Sequence, residues 1–157
     1  MCRALYLERD YDRAVAECRR VLAWAPRYYL LHVDLASALL GQNRAAAARE
    51  VLQEGRAIRP DDSRLLALWG YAAAAAGDAA TARGALAELR ALAARRYVTP
   101  VDAALVLVAL GEHAAAVAEI AVAHEARDPW VPWLRWWPLL DPLHEHPGFA
   151  RLLPSVG

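Results

Sequence analysis

The sequence predicts an all-α chain of stacked antiparallel helical hairpins, closed at one end by a Trp- and Pro-rich helical cap. Three observations carry this reading. Residue types recur at a step of 34, each repeat carries the signals of two helices split by a turn, and the composition shifts abruptly after Asp128.

Several residue series keep the step in one phase. Gly77 and Gly111 are one step apart, as are Pro26 and Pro60. A small series runs Ala14, Ala48, Ala82, Ala116. A bulky series runs Cys18, Leu52, Leu86, Ile120, and a third runs Leu5, Leu39, Ala73, Leu107. Repeats of this length mark supersecondary units that cannot bury both faces alone and must stack on neighbours.

The stretch 63–94 shows what one unit contains. Asp61, Asp62 and Ser63 offer side-chain oxygens to the unpaired amides at a helix start. Leu65, Leu68 and Trp69 follow at i, i+3 and i+4, with Leu66 beside them, giving an apolar face. Gly77-Asp78 ends the first helix, because Gly accepts the left-handed conformation of a C-terminal cap. A second helix is predicted from about Ala79 to Ala93, with Ala82, Leu86 and Leu89 inward. Ala82 is small because the two helices cross there. The run 72–76 is polyalanine, which favours helix and tight packing.

This pattern of bulky, small, Gly, small, bulky and Pro positions resembles the tetratricopeptide-repeat (TPR) family. Leu35-Ala36 and Trp69-Gly70 stand where that family has a Leu-Gly pair. Asn43, Gly77 and Gly111 stand at the inter-helix turn, and Pro26 and Pro60 end their units. The resemblance implies a right-handed superhelix over residues 1–128, divided into a partial repeat 1–28 and full repeats 29–62, 63–96 and 97–128. Three departures occur: Gly55 at a usual Ala position, Ala94 for Pro, and Arg9 for the turn Gly. The first repeat starts midway through its first helix, leaving Leu5 without an upstream neighbour. The expectation is a longer array, or another subunit filling the missing face.

Residues 129–157 read as the cap. Four of six Trp (Trp130, Trp133, Trp136, Trp137) and six of nine Pro fall from Pro129 onward. A solenoid needs an atypical terminal unit, and indoles bury large areas. The tail is read mainly as cover for the last repeat, with an exposed binding patch as the alternative. Asp141 is expected to cap a short helix at 142–145. The segment from Tyr97 through Asp128-Pro129-Trp130, with Asp141-Pro142-Leu143 and Pro147-Gly148-Phe149, resembles an end-of-group TPR tail. Such tails often close bacterial signalling and transcription-regulatory proteins.

Bulk properties narrow the function. Lys+Arg 18 balances Asp+Glu 18, which argues against nucleic-acid binding by phosphate neutralisation and against a polybasic membrane anchor. No apolar run is long enough to span a membrane. Glu8 and Arg9 come too early for a signal peptide, so a cytoplasmic setting is expected. Cys2 and Cys18 can form one bridge but no disulfide framework. Cys18 is expected to act as a small hydrophobe, and Cys2 to be exposed.

Catalytic signatures are missing. The five histidines lack zinc-site spacing and are read as solvated or capping. There is no phosphate-binding loop, Gly-x-Ser-x-Gly elbow or Cys-x-x-Cys. No cofactor and no enzyme activity are expected.

The TPR resemblance implies a concave face lined by the first helix of each repeat. Carried over position by position, it consists of Leu30, Val33, Ser37 and Leu40, then Arg64, Ala67, Tyr71 and Ala74, then Val98, Val101, Leu105 and Val108. Val33, Ser37 and Ala67 replace the polar residues of the family's carboxylate clamp. The expectation is an apolar groove for a peptide or an amphipathic partner helix. Two alternatives stand beside it: a self-associating scaffold such as a homodimer, and a sensor of a small hydrophobic ligand. The same face is also open to internal cover by the Trp-rich tail.

Overall fold

A computed structural model describes residues 1–153. Eight α-helices form four successive hairpins: α1 (Cys2–Leu7) with α2 (Tyr11–Leu22), α3 (Tyr29–Gly41) with α4 (Ala45–Ile58), α5 (Ser63–Ala75) with α6 (Ala79–Ala93), and α7 (Pro100–Ala109) with α8 (His113–Glu125). Two 3-10 helices, Val131–Trp136 and Pro138–Leu143, and α9 (Pro147–Leu152) follow. No strand occurs among the described residues. The first helices pack on one another in sequence, α1 on α3, α3 on α5 and α5 on α7, while each second helix packs on its own partner and the next first helix. This is the all-α hairpin stack expected of tetratricopeptide-type repeats.

The repeat series explain why these helices cross closely. Ala14, Ala48, Ala82, Cys18, Leu52, Leu39, Ala116 and Ile120 are buried, most of them completely. The turns keep the period in backbone form. Arg9, Asn43, Gly77 and Gly111 stand one repeat apart, and all adopt positive φ, between 53° and 84° with the further turn residue Arg127 included. Arg9 therefore takes the left-handed turn that Gly takes elsewhere, at the cost a side chain meets there. Asp62, Asp78 and Thr99 cap α5, α6 and α7 by accepting from the amides of Leu65, Thr81 and Val101.

Gly55 also finds a reason. A Cβ there would stand 2.9 Å from His32 Cβ and 2.9 Å from Leu65 Cδ2. The buried imidazole of His32 occupies the space an alanine would need. His32 is thus neither solvated nor capping, contrary to expectation, whereas His146 does cap α9 through Nδ1.

Two further expectations are corrected. Cys2 is buried, not exposed, and forms a disulfide with Cys18 that joins α1 to α2, with Cα atoms 5.5 Å apart. Asp141 caps nothing: it lies inside the 3-10 helix Pro138–Leu143, and its carboxylate takes both terminal nitrogens of Arg9. Proline at 138 and 142 favours a tighter 3-10 helix that starts earlier than the one expected at 142–145.

The tail does not simply follow the last repeat. Its second 3-10 helix contacts both α7 and α3, while its other segments lie on α8. Leu139, Leu140, Leu143 and Phe149 are buried. The buried Tyr6 hydroxyl on α1 lies beside the Leu139 backbone and the Trp137 indole. Residues 137–143 therefore cross the concave layer of first helices and reach the first hairpin, where Arg9 holds Asp141.

Candidate functional site

Crossing by the tail divides the concave face in two. At the end nearer the inter-helix turns, Leu40 and Val108 are buried and Tyr71 and Ala74 half-buried, packed against a core that includes Leu139 and Leu140. Asp141 stands close enough to Tyr71 to raise its phenol further, beyond the rise that burial causes. Ala67, Val101 and Leu105 are wholly buried. These predicted groove residues are core or covered surface, because neighbouring first helices and the tail close over them. Val98 is half-buried outside the remaining opening.

At the opposite end a cleft stays open, with a volume of about 600 Å³. Leu30, Val33, Ser37 and Arg64 line it, the part of the predicted set that the structure brings together. Tyr6, Leu7 and Tyr29 add apolar wall, and Trp130, Trp133 and Trp137 form a roof. The Trp cluster is therefore split. Trp137 is buried and Trp130 half-buried, while Trp133, at the rim, and its neighbour Trp136 are 56% and 53% exposed. A cap and an exposed aromatic patch coexist in one segment.

The tail begins at a fixed point. Asp128, itself buried, accepts from the Trp130 amide at 2.8 Å and from the Tyr97 hydroxyl. The hydrogen bond to Asp128 holds the proton on the Tyr97 phenol, and with burial and the nearby negative charge adding to it the phenol is pushed up to about 12. This anchor directs Trp130 towards α5. There the Arg64 guanidinium lies 4.9 Å from the Trp130 ring and 4.4 Å from the Trp137 ring. It also donates to Asp102 Oδ1 at 2.5 Å. One arginine thus holds two indoles and a carboxylate together, with cation–π attraction strengthened by partial desolvation.

Asp102 is 1% exposed, and its second oxygen, Oδ2, has no hydrogen-bond partner among the described residues. The Ser63 hydroxyl is near the carboxyl without aligned geometry. Burial pushes this carboxyl up, and Arg64 pulls it part of the way back. On the other wall Asp34 accepts from Arg3 Nε at 2.9 Å, and burial raises its carboxyl too.

Asp34 and Asp102 were not predicted as site residues. They carried a signal: both stand at the same repeat offset, where repeat three has Leu68. A carboxylate within an apolar inner helix, in the middle of α3 for Asp34 and in the first turn of α7 for Asp102, needs a partner or a purpose. Among the described residues no group of three His, Cys, Asp or Glu is placed to hold a metal ion, and no helix is long and apolar enough to cross a membrane.

The fold thus defines a helical-hairpin repeat protein whose concave layer is partly filled by its own tail. The family model of the tetratricopeptide repeat matches residues 5–69, from within α1 to within α5. No curated protein and no solved structure matches the chain.

Proposed function

We propose that the chain is a protein–protein interaction module that takes a short segment of a partner in the open half of its concave face. The observation that supports this most is the cleft itself. It is an apolar-walled opening of about 600 Å³ between first helices, with exposed Trp133 at its rim and polar groups on its floor. Clefts of this size with a few convergent polar groups are usual binding sites. Exposed aromatics at a rim are favourable anchors for a partner.

The partner segment is short, because residues 137–143 leave no path along the whole face. A full amphipathic helix, as the apolar-groove expectation allowed, fits less well than an extended peptide or a chain end. The resemblance of the tail to those closing bacterial signalling and regulatory proteins makes such a regulatory setting part of this reading. A cytoplasmic setting goes with it, and there the Cys2–Cys18 bridge would be open to reduction. One feature favours a second reading, a sensor of a small hydrophobic ligand: the indole roof encloses the cleft on one side.

Selection of binders from a random peptide display library against the immobilised chain tests the first reading. Binding should be lost in Leu30→Arg and weakened in Trp133→Ala, both with helicity intact by circular dichroism. Binders indifferent to both substitutions would refute the cleft as the site.

A further inference from the structure

The cleft's charges point to the chemistry of its occupant. Its lining carries two cations and three carboxylates: Arg3 and Arg64 against Asp34, Asp62 and Asp102. Each cation is already engaged, Arg3 by Asp34 and Arg64 by Asp102. Asp62 accepts from the Leu65 amide, as the cap of α5, and among the described residues it has no counter-cation of its own in the cleft. Asp102 keeps one buried oxygen without a donor. Aromatic rings of Tyr6, Tyr29, Trp130, Trp133 and Trp137 surround these carboxylates. Three of them already flank a guanidinium, Trp130 and Trp137 that of Arg64 and Tyr29 that of Arg59. Ring faces and surplus carboxylates together attract a cation that donates hydrogen bonds.

We propose that the cleft is selective for a basic side chain, arginine or lysine, presented by the partner segment, with the carboxylates of Asp34, Asp62 and Asp102 as its counter-charges. This rests on the interaction reading above and names the partner's chemistry. The side chain enters between Tyr29 and the indole roof. Its methylenes lie along Leu30 and Val33, and its charged end lies in the field of the Asp34, Asp62 and Asp102 carboxylates. An acidic or C-terminal carboxylate anchor is disfavoured, because neither cleft arginine is free to receive it.

The test is a synthetic array of blocked heptapeptides, random except for a central arginine, lysine, citrulline or norleucine, probed with the full chain. A charge-assisted hydrogen bond predicts arginine and lysine ahead of norleucine by about tenfold or more in affinity, and ahead of the neutral donor citrulline. Equal binding by all four overturns this inference and leaves the interaction reading standing. Citrulline equal to arginine overturns the requirement for charge. No binding by any peptide overturns both readings. A lone N-acetylarginine methylamide that binds as tightly as the peptides would assign the cleft to a small organic cation instead, and overturns the peptide anchor.

Two variants locate the selectivity. Asp102→Asn keeps shape but leaves Arg64 without its carboxylate, so its folding is checked by circular dichroism. Asp34→Asn changes the opposite wall and does not touch the buried pair. Each should reduce the preference for arginine over norleucine. Undiminished preference in a folded Asp34→Asn and, where it folds, Asp102→Asn overturns the assignment.

Discussion

The two halves of the concave face are built from the same first helices and meet different fates. Leu30 and Leu40 sit on one helix, α3; the first lines an open cleft, and the second is buried near the chain's own tail. Arg64 and Tyr71 sit on α5 in the same relation. Nothing in the repeat decides which half is free. Residues 137–143 decide it, because they cross the layer at one end and are held there by Leu139, Leu140 and the Arg9–Asp141 pair. A repeat surface is therefore not a binding surface until the flanking chain has been placed on it.

The largest effect is expected where the halves meet. Arg64→Ala leaves Asp102 buried without its cation and removes the guanidinium between Trp130 and Trp137. Breaking such a pair from one side costs about 3–5 kcal/mol. Urea denaturation should show that loss, together with a rise in accessibility of the indoles. A loss under about 1 kcal/mol would mean that the pair does not join tail to array.

The closed half is tested next. Leu140 is completely buried, and Leu140→Ala should cost about 2–5 kcal/mol through the lost transfer energy and the cavity left behind. If the tail were a loosely attached extension, the cost would be close to zero. Leu105→Glu belongs to this half as well. Because Leu105 is fully buried, the substitution should unfold the chain by placing a charge in the core.

Reduction of the Cys2–Cys18 bridge should come third. It pins α1, which supplies Arg3, Tyr6 and Leu7 to the open half. Closing a loop of this length is worth about 3 kcal/mol in the chain-entropy view. A thermal melt with and without a phosphine reductant should show a lower midpoint after reduction. An unchanged midpoint would mean that α1 is held by packing alone.

The smallest effect is expected at the exposed latch. Arg9 and Asp141 are 47% and 39% exposed, so Arg9→Ala should cost only about 0.2–1 kcal/mol, less at high salt. Gly at this position should offset part of that, since Arg9 holds positive φ.

The sequence made the array legible because its rules are local and repeated. A helix needs small residues at a crossing and a left-handed turn at its end, and both recur at a step of 34. Even Arg9, which looked like a departure, keeps the backbone of the series. The tail followed no such rule. Its Trp and Pro content announced a change of structure, but its path depends on contacts far apart in the chain, such as Arg9 with Asp141 and Arg64 with Trp137. The Arg64–Asp102 pair is equally non-local, 38 residues apart, and no period marks it. The sequence therefore left open whether the concave face is a groove or is covered by the tail, and the structure has both, one in each half. The polar floor of the cleft went unseen, although Asp34 and Asp102 share one repeat offset.

The division into a closed and an open half can be read directly from the indole N–H signals of the free protein in the presence of a neutral soluble nitroxide, each signal assigned by single Trp→Phe substitution. Trp24, Trp133 and Trp136 should broaden strongly, and Trp137 should keep its intensity. Trp137 broadening as fast as Trp133 would contradict the account, because the tail would then not lie across the concave face.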